Sequence, residues 1–166
     1  MPDILPYQKL SRPDSLLLLP EAVKRVAQNR PKLILLIGKS SSGKTQTIQE
    51  LSDYYQTPVF SLGYEISKAM LEGLSNDKIL EFLREKLGIQ KLIILLDNVE
   101  VLFAKSLNLN PLAILKLLST DQVILASFPG RVIEGNLVFA EASSSEYKNY
   151  SNYELKDLVL FELLGE

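Results

Sequence analysis

Runs of aliphatic residues alternate with amphipathic stretches along the chain. The segments 33–38 and 92–97 are almost wholly aliphatic, which is typical of strands covered on both faces of a parallel sheet. Shorter runs predict further strands at 58–62, 122–127 and 137–140. Five strands joined by helical segments indicate an α/β domain with a doubly wound, mainly parallel sheet.

Apolar residues at helical spacing predict the helices that join these strands. The predicted helices lie at about 20–29, 46–55, 65–70, 79–87 and 111–118. Proline favours the first position of a helix, which supports starts at Pro20 and Pro111, and Gly88 closes the fourth helix. The apolar stripes are interpreted as core rather than as cofactor contacts.

The two ends of the chain lack a clear pattern. Residues 1–19 include three prolines and are expected to form an irregular arm. The C-terminal extension, 141–166, matches the apolar spacing of a helix in some parts and that of a strand in others. The extension could complete the sheet, pack on its flank or present an apolar surface to a partner. We expect a single domain over residues 1–166.

Composition narrows the chemistry that the chain can perform. The net charge is -2 and the sequence pI is about 5.3, which argues against a broad basic surface for direct nucleic-acid binding. Cysteine and histidine are absent, so chemistry must rest on carboxylates, lysine and Mg²⁺. No run approaches the roughly 18 apolar residues that span a bilayer, so we expect no membrane contact and a cytoplasmic location.

The sequence GKSSSGKT directly follows the first aliphatic run and matches the P-loop pattern. In a P-loop, successive backbone N–H groups and the start of a helix surround a polyphosphate. The predicted phosphate-binding residues are Gly38, Lys39, Ser40, Ser41, Ser42, Gly43, Lys44 and Thr45. Lys44 is predicted to reach the β- and γ-phosphates, and Thr45 to hold Mg²⁺. The alternative, a flexible Gly/Ser linker that contains a lysine, is disfavoured by the buried strand upstream.

One carboxylate stands where the second long aliphatic run ends. Ligands of open parallel sheets collect at the carboxyl ends of strands, so Asp97 is expected beside Thr45, where it would hold Mg²⁺ directly or through water. An acidic turn residue without a function is the alternative. The spacing between Lys44 and Asp97 leaves room for a further strand and its helices.

Together these two motifs resemble the additional-strand P-loop ATPases, which include the AAA+ proteins. The resemblance covers most of the chain and implies a strand between the P-loop strand and the strand that ends at Asp97. The extension 141–166 is too short for the helical lid domain by which AAA+ proteins sense nucleotide. Many of these ATPases place a glutamate directly after the Walker B aspartate, whereas this chain has Asn98 there.

Four residues near the predicted strand ends are candidates for catalysis. Asn98 could position a water and Glu100 could accept its proton, although Glu100 is also typical of the first turn of a helix. Ser127 could orient the attacking water or simply begin the Pro-Gly turn that follows. Arg131 is preferred over Arg84 as an arginine finger supplied in trans, and an exposed turn arginine without a role is the alternative.

Three segments are similar to BrxF, a family of small P-loop proteins from type III BREX phage-defence systems. They are GKSSSGKT, LLDNVEVLF at 95–103 and VILASFPGR at 123–131. The resemblance implies a bacterial ATP-binding component that acts with other BREX proteins, among them a larger ATPase, a methyltransferase and an alkaline-phosphatase-like protein. It also implies a role in marking self DNA and restricting phage. Any DNA contact is expected to come from partners, because the net charge of -2 disfavours a broad basic surface on this chain.

The sequence therefore predicts Mg²⁺-dependent ATP binding with slow hydrolysis that self-association or partners complete. The alternative is a nucleotide-gated assembly module that needs no turnover, which Asn98 after Asp97 favours. A small-molecule P-loop kinase is disfavoured because such enzymes clamp phosphates with several arginines, and beyond Arg84 this chain has only Arg131. A guanine-reading Asn-Lys-x-Asp motif is missing, so ATP is the expected nucleotide.

Overall fold

The computed structural model describes residues 6–88, 92–140 and 143–165. Within these ranges the strands are β1 (Tyr7–Leu10), β2 (Leu33–Gly38), β3 (Val59–Ser61), β4 (Ile94–Asp97), β5 (Ile124–Pro129), β6 (Arg131–Ile133), β7 (Asn136–Phe139), β8 (Lys148–Tyr150) and β9 (Val159–Leu163). The helices are α1 (Ser15–Val26), α2 (Lys44–Tyr55), α3 (Leu62–Leu71), α4 (Ile79–Leu87) and α5 (Pro111–Leu118). Short 3₁₀ turns lie at Arg12–Asp14, Asn76–Lys78, Val99–Phe103 and Lys105–Leu107.

A six-stranded parallel sheet with the order β1-β9-β2-β5-β4-β3 forms the centre of the molecule. β5 lies between β2 and β4, so one strand separates the P-loop strand from the strand that ends at Asp97, as predicted. The strand that lies between the two motifs in sequence, β3, instead takes the outer edge beside β4. The α/β class and the parallel sheet are confirmed, with six strands rather than five.

Helices cover both faces of this sheet. Alternate residues of a strand point to opposite faces, so Leu33, Leu35 and Ile37 join one core and Ile34 and Leu36 join the other. α3, α4 and α5 pack on the first face, and α1 and α2 pack on the second. These strand residues are fully buried, and each contributes roughly 1.5–3 kcal/mol through burial. Burial on both faces is the reason for the uninterrupted aliphatic run.

The prediction of a fifth parallel strand at 137–140 is wrong, because the strand found there does not belong to the parallel sheet. Residues 137–140 fall mostly in β7, which belongs to a separate antiparallel sheet with the order β6-β7-β8. Glu134 and Gly135 alone connect β6 to β7, with φ values of 51° and 84°, as a two-residue hairpin turn requires. A parallel neighbour needs a long crossover connection, so a strand that returns through this turn must pair antiparallel.

The ends of the chain supply the remaining strands of the parallel sheet. β9 lies beside β2, and β1 pairs with β9 at the sheet edge, where Leu10 stands opposite Leu163. The expected irregular arm at 1–19 is therefore wrong for its described residues. The C-terminal extension, which could be helix or strand by its pattern, contributes β8 and β9. Residues 1–5, 141, 142 and 166 of these two segments lie outside the described residues.

The helix boundaries follow the sequence prediction at α4 and α5 and depart from it at α1. This first helix begins at Ser15, and Pro20 lies inside it rather than at its start. The earlier start adds Leu19 to the buried stripe that Ala22 and Val26 form against the sheet. Burial of this leucine offsets the backbone hydrogen bond that Pro20 cannot donate.

None of the helices in the described ranges is both long enough and apolar enough to cross a bilayer.

Candidate nucleotide-binding site

The P-loop turns sharply between the end of β2 and the start of α2. Gly38 has a φ of 152°, and a Cβ atom there would stand 2.5 Å from Ser42 Oγ, far inside contact distance. Gly43 caps α2 in a left-handed conformation with a φ of 97°. The first N–H groups of a helix have no intrahelical acceptor, and the positive end of its dipole lies beside them. The loop therefore fits a bound polyphosphate.

Lys44 is folded back onto the P-loop. Its ammonium donates to the carbonyl oxygens of Gly38 and Lys39 over 2.6 and 2.9 Å. Burial lowers the pKa of Lys44, while the charges of Glu100 and Asp97 act in the opposite direction. Phosphate oxygens would provide stronger, charge-assisted hydrogen bonds to this buried ammonium than the two carbonyl groups do.

The ends of β4 and β5 meet in a buried hydrogen bond. Ser127 Oγ donates to Asp97 Oδ1 over 2.6 Å, and the two residues are 1% and 6% exposed. Asp97 shares the walls of a hollow of about 430 Å³ with Lys44 and Thr45. Ser127 thus fixes the orientation of the carboxylate. Its predicted contact with an attacking water stays a prediction.

Asp97 and Thr45 would supply one carboxylate and one hydroxyl group to a cation. Among residues 6–88, 92–140 and 143–165, no cluster of three or more Asp, Glu, His or Cys side chains could hold a metal ion. Mg²⁺ usually keeps several waters and shares its ligand shell with the phosphates of a substrate. One carboxylate and one hydroxyl group suit a Mg²⁺ ion whose remaining ligands are waters and phosphate oxygens.

Asn98 connects the turn after β4 to the neighbouring strand. It has a left-handed φ of 55°, and its side-chain amide donates to Ser61 Oγ over 2.8 Å. Ser61 ends β3 and caps α3, where its hydroxyl accepts from the N–H of Tyr64 over 3.3 Å. One donor of the Asn98 amide is therefore committed to Ser61. The predicted contact of Asn98 with water stays a prediction for its remaining groups.

Glu100 is an exposed carboxylate beside the hollow that Lys44, Thr45 and Asp97 line. It lies in the first turn of the 3₁₀ segment Val99–Phe103, which is the helix-start position that the sequence allowed. It also lines the hollow that contains Asp97 and Thr45, and its charge acts on Lys44. The two interpretations of Glu100 are therefore compatible, and its role as a base stays a prediction.

The two candidate arginines lie at opposite ends of the sheet. Arg131 begins β6 and lines, with Lys44 and Glu100, a hollow of about 490 Å³ that adjoins the P-loop. Arg84 lies on α4 and lines a separate hollow with Gly88, beside the amino ends of β4 and β5. Arg131 thus adjoins the P-loop of its own chain, and its predicted action in trans stays a prediction. Arg84 could reach a P-loop only from another copy.

Sequence reasoning missed the residues that approach the P-loop from the ends of the chain. Arg12 contacts Gln46 and Glu50 on α2, and a Cβ atom on Gly165 would stand 3.2 Å from Lys39 Cε. Arg12 stands in a proline-containing stretch without periodicity, and its position depends on the pairing of β1 with β9. No local signal in the sequence could have found it.

Comparisons with known proteins identify no family for this chain. No protein-family model matches it, and no curated protein does. Among solved structures, the structure of C. elegans PCH-2 is similar to it, with 17% sequence identity and a TM-score of 0.45. The match covers 92% of this chain and 42% of that chain.

Proposed function

We propose that this chain binds Mg-ATP at the P-loop and hydrolyses it slowly, and that self-association or a partner protein raises its turnover. One observation supports the proposal above all others. At the carboxyl ends of the parallel strands, Gly38 and Gly43 shape the start of α2. The buried ammonium of Lys44 and the fixed carboxylate of Asp97 lie beside it. Polyphosphate and Mg²⁺ are the ligands that match this combination.

Binding would begin with the exchange of hydrogen-bond partners at Lys44. Its ammonium would leave the carbonyl groups of Gly38 and Lys39 for the β- and γ-phosphates, while P-loop N–H groups donate to the same oxygens. Thr45 and Asp97 would hold Mg²⁺, which neutralises phosphate charge when it is bound. Phosphate charge would raise the lowered pKa of Lys44, because it favours the ammonium form.

Turnover would depend on Glu100 and Arg131, which both line the hollow of about 490 Å³ that adjoins the P-loop. Glu100 would accept a proton from the attacking water, since Asn98 has no group that can act as a base. Arg131 shares a hollow with Lys44 and Glu100, where its guanidinium would counter the charge that develops on the transferred phosphate. Because Glu100 and Arg131 are both exposed, their geometry would be poorly restrained, and we expect slow turnover in the isolated chain for this reason.

A specific observation favours the second candidate, a nucleotide-gated assembly module without turnover. Asn98 directly follows Asp97 and bonds to Ser61, which caps α3. A movement of Asp97 on nucleotide binding would therefore also move Asn98 and, through its hydrogen bond to Ser61, the start of α3. In this account the nucleotide changes a surface around α3 and no water needs to be activated.

Phosphate release from Mg-ATP, measured over a wide range of protein concentration beside a binding titration, tests the proposal. Turnover per chain that rises steeply with concentration would support an ATPase completed by self-association. Glu100→Gln is expected to abolish that turnover and to leave nucleotide affinity unchanged. Binding without turnover at every concentration would reject the self-activated enzyme in favour of the module, and absence of binding would reject both.

The proposed setting is a bacterial phage-defence complex of the BREX type. The support for this setting is the similarity of residues 38–45, 95–103 and 123–131 to BrxF proteins. Phosphate release measured with and without the other BREX components tests it. A partner-dependent rise that Lys44→Ala abolishes would support the setting. Unchanged turnover and no co-purification with any component would contradict it.

A further inference from the structure

The terminal strands bring a second set of residues against the P-loop. β1 and β9 run in parallel, and the N–H of Leu164 donates to the carbonyl oxygen of Leu10 over 2.9 Å. The carbonyl oxygen of Leu163 lies 3.3 Å from the point where a Cβ atom on Gly38 would stand. The chain that leaves β1 then forms the turn Arg12–Asp14 beside the start of α2.

Arg12 crosses the start of α2 from this side. Its Cδ atom lies 3.0 Å from the point where a Cβ atom on Gly43 would stand. Nη1 donates to Gln46 Oε1 over 2.8 Å, and Nη2 forms an ion pair with Glu50. Nε is buried and has no hydrogen-bond partner among the residues that the structure describes. An unpaired buried donor is unfavourable, so this guanidinium has capacity for a further acceptor.

The order of the strands gives the direction in which a nucleotide would lie. Asp97 ends β4, so the cation and the terminal phosphates belong on the side of β2 where β5 and β4 stand. β9 and β1 lie on the opposite side of β2, towards which the α-phosphate and the nucleoside would extend. Gln46 lies between the two sides, because it lines the hollow with Asp97 and also accepts from Arg12.

We propose that Arg12 is a nucleotide-binding residue that contacts the α-phosphate. This proposal rests on the Mg-ATP binding proposed above. Glu50 and Gln46 hold the guanidinium over Gly43, beside the helix N–H groups that bind phosphate. Nε, the N–H group without a partner, donates to an α-phosphate oxygen, while Gln46 keeps Nη1 and Glu50 keeps Nη2 and orients the group. A guanidinium suits this contact because it stays charged and can donate to a phosphate oxygen while its other N–H groups bind protein side chains.

The same contacts would also suit a purely structural role, in which Arg12 ties the turn after β1 to α2. The two roles predict different behaviour of Glu50→Gln. A structural tie is lost equally when either partner is changed. A phosphate contact is lost only with Arg12, and neutralising Glu50 removes a negative charge from beside the ligand.

Calorimetric titration of ATP and of ADP, each with Mg²⁺, into wild type and variants tests the proposal. Arg12→Ala is expected to raise the Kd of both nucleotides by about tenfold or more, because both contain an α-phosphate. Arg12→Lys is expected to give an intermediate Kd, since lysine keeps the charge but cannot bind Gln46, Glu50 and the phosphate in the same planar arrangement. Glu50→Gln is expected to raise the Kd by clearly less than Arg12→Ala does, because the glutamine oxygen can still accept from Nη2 and partly orient the guanidinium. Arg30→Ala is the control, because Arg30 forms an exposed ion pair with Asp121 far from the P-loop.

An unchanged Kd in Arg12→Ala would overturn the proposal, and an equal loss of melting temperature in Arg12→Ala and Glu50→Gln beside it would favour the structural tie. If Arg12→Ala does not fold, Arg12→Lys decides, and a Kd equal to that of wild type would contradict the contact. If wild type binds neither nucleotide, the proposed function fails and this inference fails with it. That outcome is distinguishable because it does not depend on Arg12.

Discussion

The two flanks of β2 build the candidate site in different ways. On the flank formed by β5 and β4, the functional groups stand at the strand ends, where Ser127 and Asp97 form a buried hydrogen bond. On the flank formed by β9 and β1, the group that faces the P-loop is Arg12, which lies beyond its strand and is held by Glu50 of α2. On the β5–β4 flank, the functional side chains are therefore placed by their position near the ends of strands. On the β9–β1 flank, Arg12 is placed by the pairing of two strands that are far apart in the sequence.

The two flanks are therefore expected to affect different properties of the protein, its stability on one side and its affinity for nucleotide on the other. The β9–β1 flank is held by apolar burial, since Leu10, Phe161 and Leu163 are 1%, 0% and 3% exposed. The β5–β4 flank contains the buried polar pair, whose loss would change a ligand contact more than it changes the core. Substitutions of the buried apolar residues of β9 and β1 should therefore lower stability, and substitutions of the buried polar pair at the ends of β4 and β5 should lower affinity for Mg-ATP.

The largest effect is expected from Phe161→Ala, which breaks the β9–β1 flank. The substitution removes a fully buried ring from the strand between β1 and β2, and the cavity should lower the free energy of unfolding by about 3–5 kcal/mol. Urea denaturation measures this loss. Tyr153→Ala is the control, because Tyr153 is 84% exposed and should change stability by less than about 0.5 kcal/mol. Equal losses in the two variants would refute the assignment of β9 to the core.

A smaller effect is expected from Ser127→Ala on the other flank. Loss of the hydrogen bond to the Asp97 carboxylate should weaken Mg-ATP binding by about tenfold, because the carboxylate is no longer held in place. Titrations with Mg²⁺ and with a chelator measure how much of the loss depends on the metal. Ser119→Ala is a matched control, since this buried hydroxyl donates to Leu115 O over 2.7 Å away from the P-loop. Equal nucleotide affinity in the two variants would argue against a role of Ser127 at the site.

The smallest effect is expected from Tyr7→Phe at high pH. Burial and the hydrogen bond to Glu162 raise the pKa of Tyr7 to about 12 from an ordinary value of 10.0. Because the folded state favours the protonated phenol, this stabilisation is present below pH 10 and is lost as the pH rises towards 12. The phenol is partly exposed, so we expect Tyr7→Phe to reduce the alkaline loss of stability by less than about 1 kcal/mol. Denaturation at several pH values checks this, and an identical pH profile would contradict it.

The β5–β4 flank could largely be predicted from the sequence. A buried parallel strand has an aliphatic run that ends where the sheet ends, so Gly38, Asp97 and Ser127 mark three carboxyl ends of the sheet or lie close to them. Strong local signals such as the cap at Asn110 likewise gave correct helix boundaries. Whether these residues act on a nucleotide stays a prediction, because geometry alone does not measure binding.

The β9–β1 flank could not be predicted, for a physical reason. Tyr7 and Glu162 are 155 positions apart and form a hydrogen bond across β1 and β9, and no local pattern encodes that pairing. The position of Arg12 follows from the same pairing. The hairpin at Glu134 and Gly135 was missed because Glu-Gly is a weaker turn signal than Asn-Gly or Asp-Gly.

The central claim is that the P-loop of this chain binds Mg-ATP through Lys44, and calorimetric titration tests it most directly. Wild type and Lys24→Ala should bind with the same affinity, because Lys24 is an exposed residue of α1 that pairs only with Glu21 among the described contacts. Lys44→Ala should weaken binding by about 100-fold or more, since it removes a buried ammonium from the phosphate site. Unchanged binding in Lys44→Ala would contradict the account.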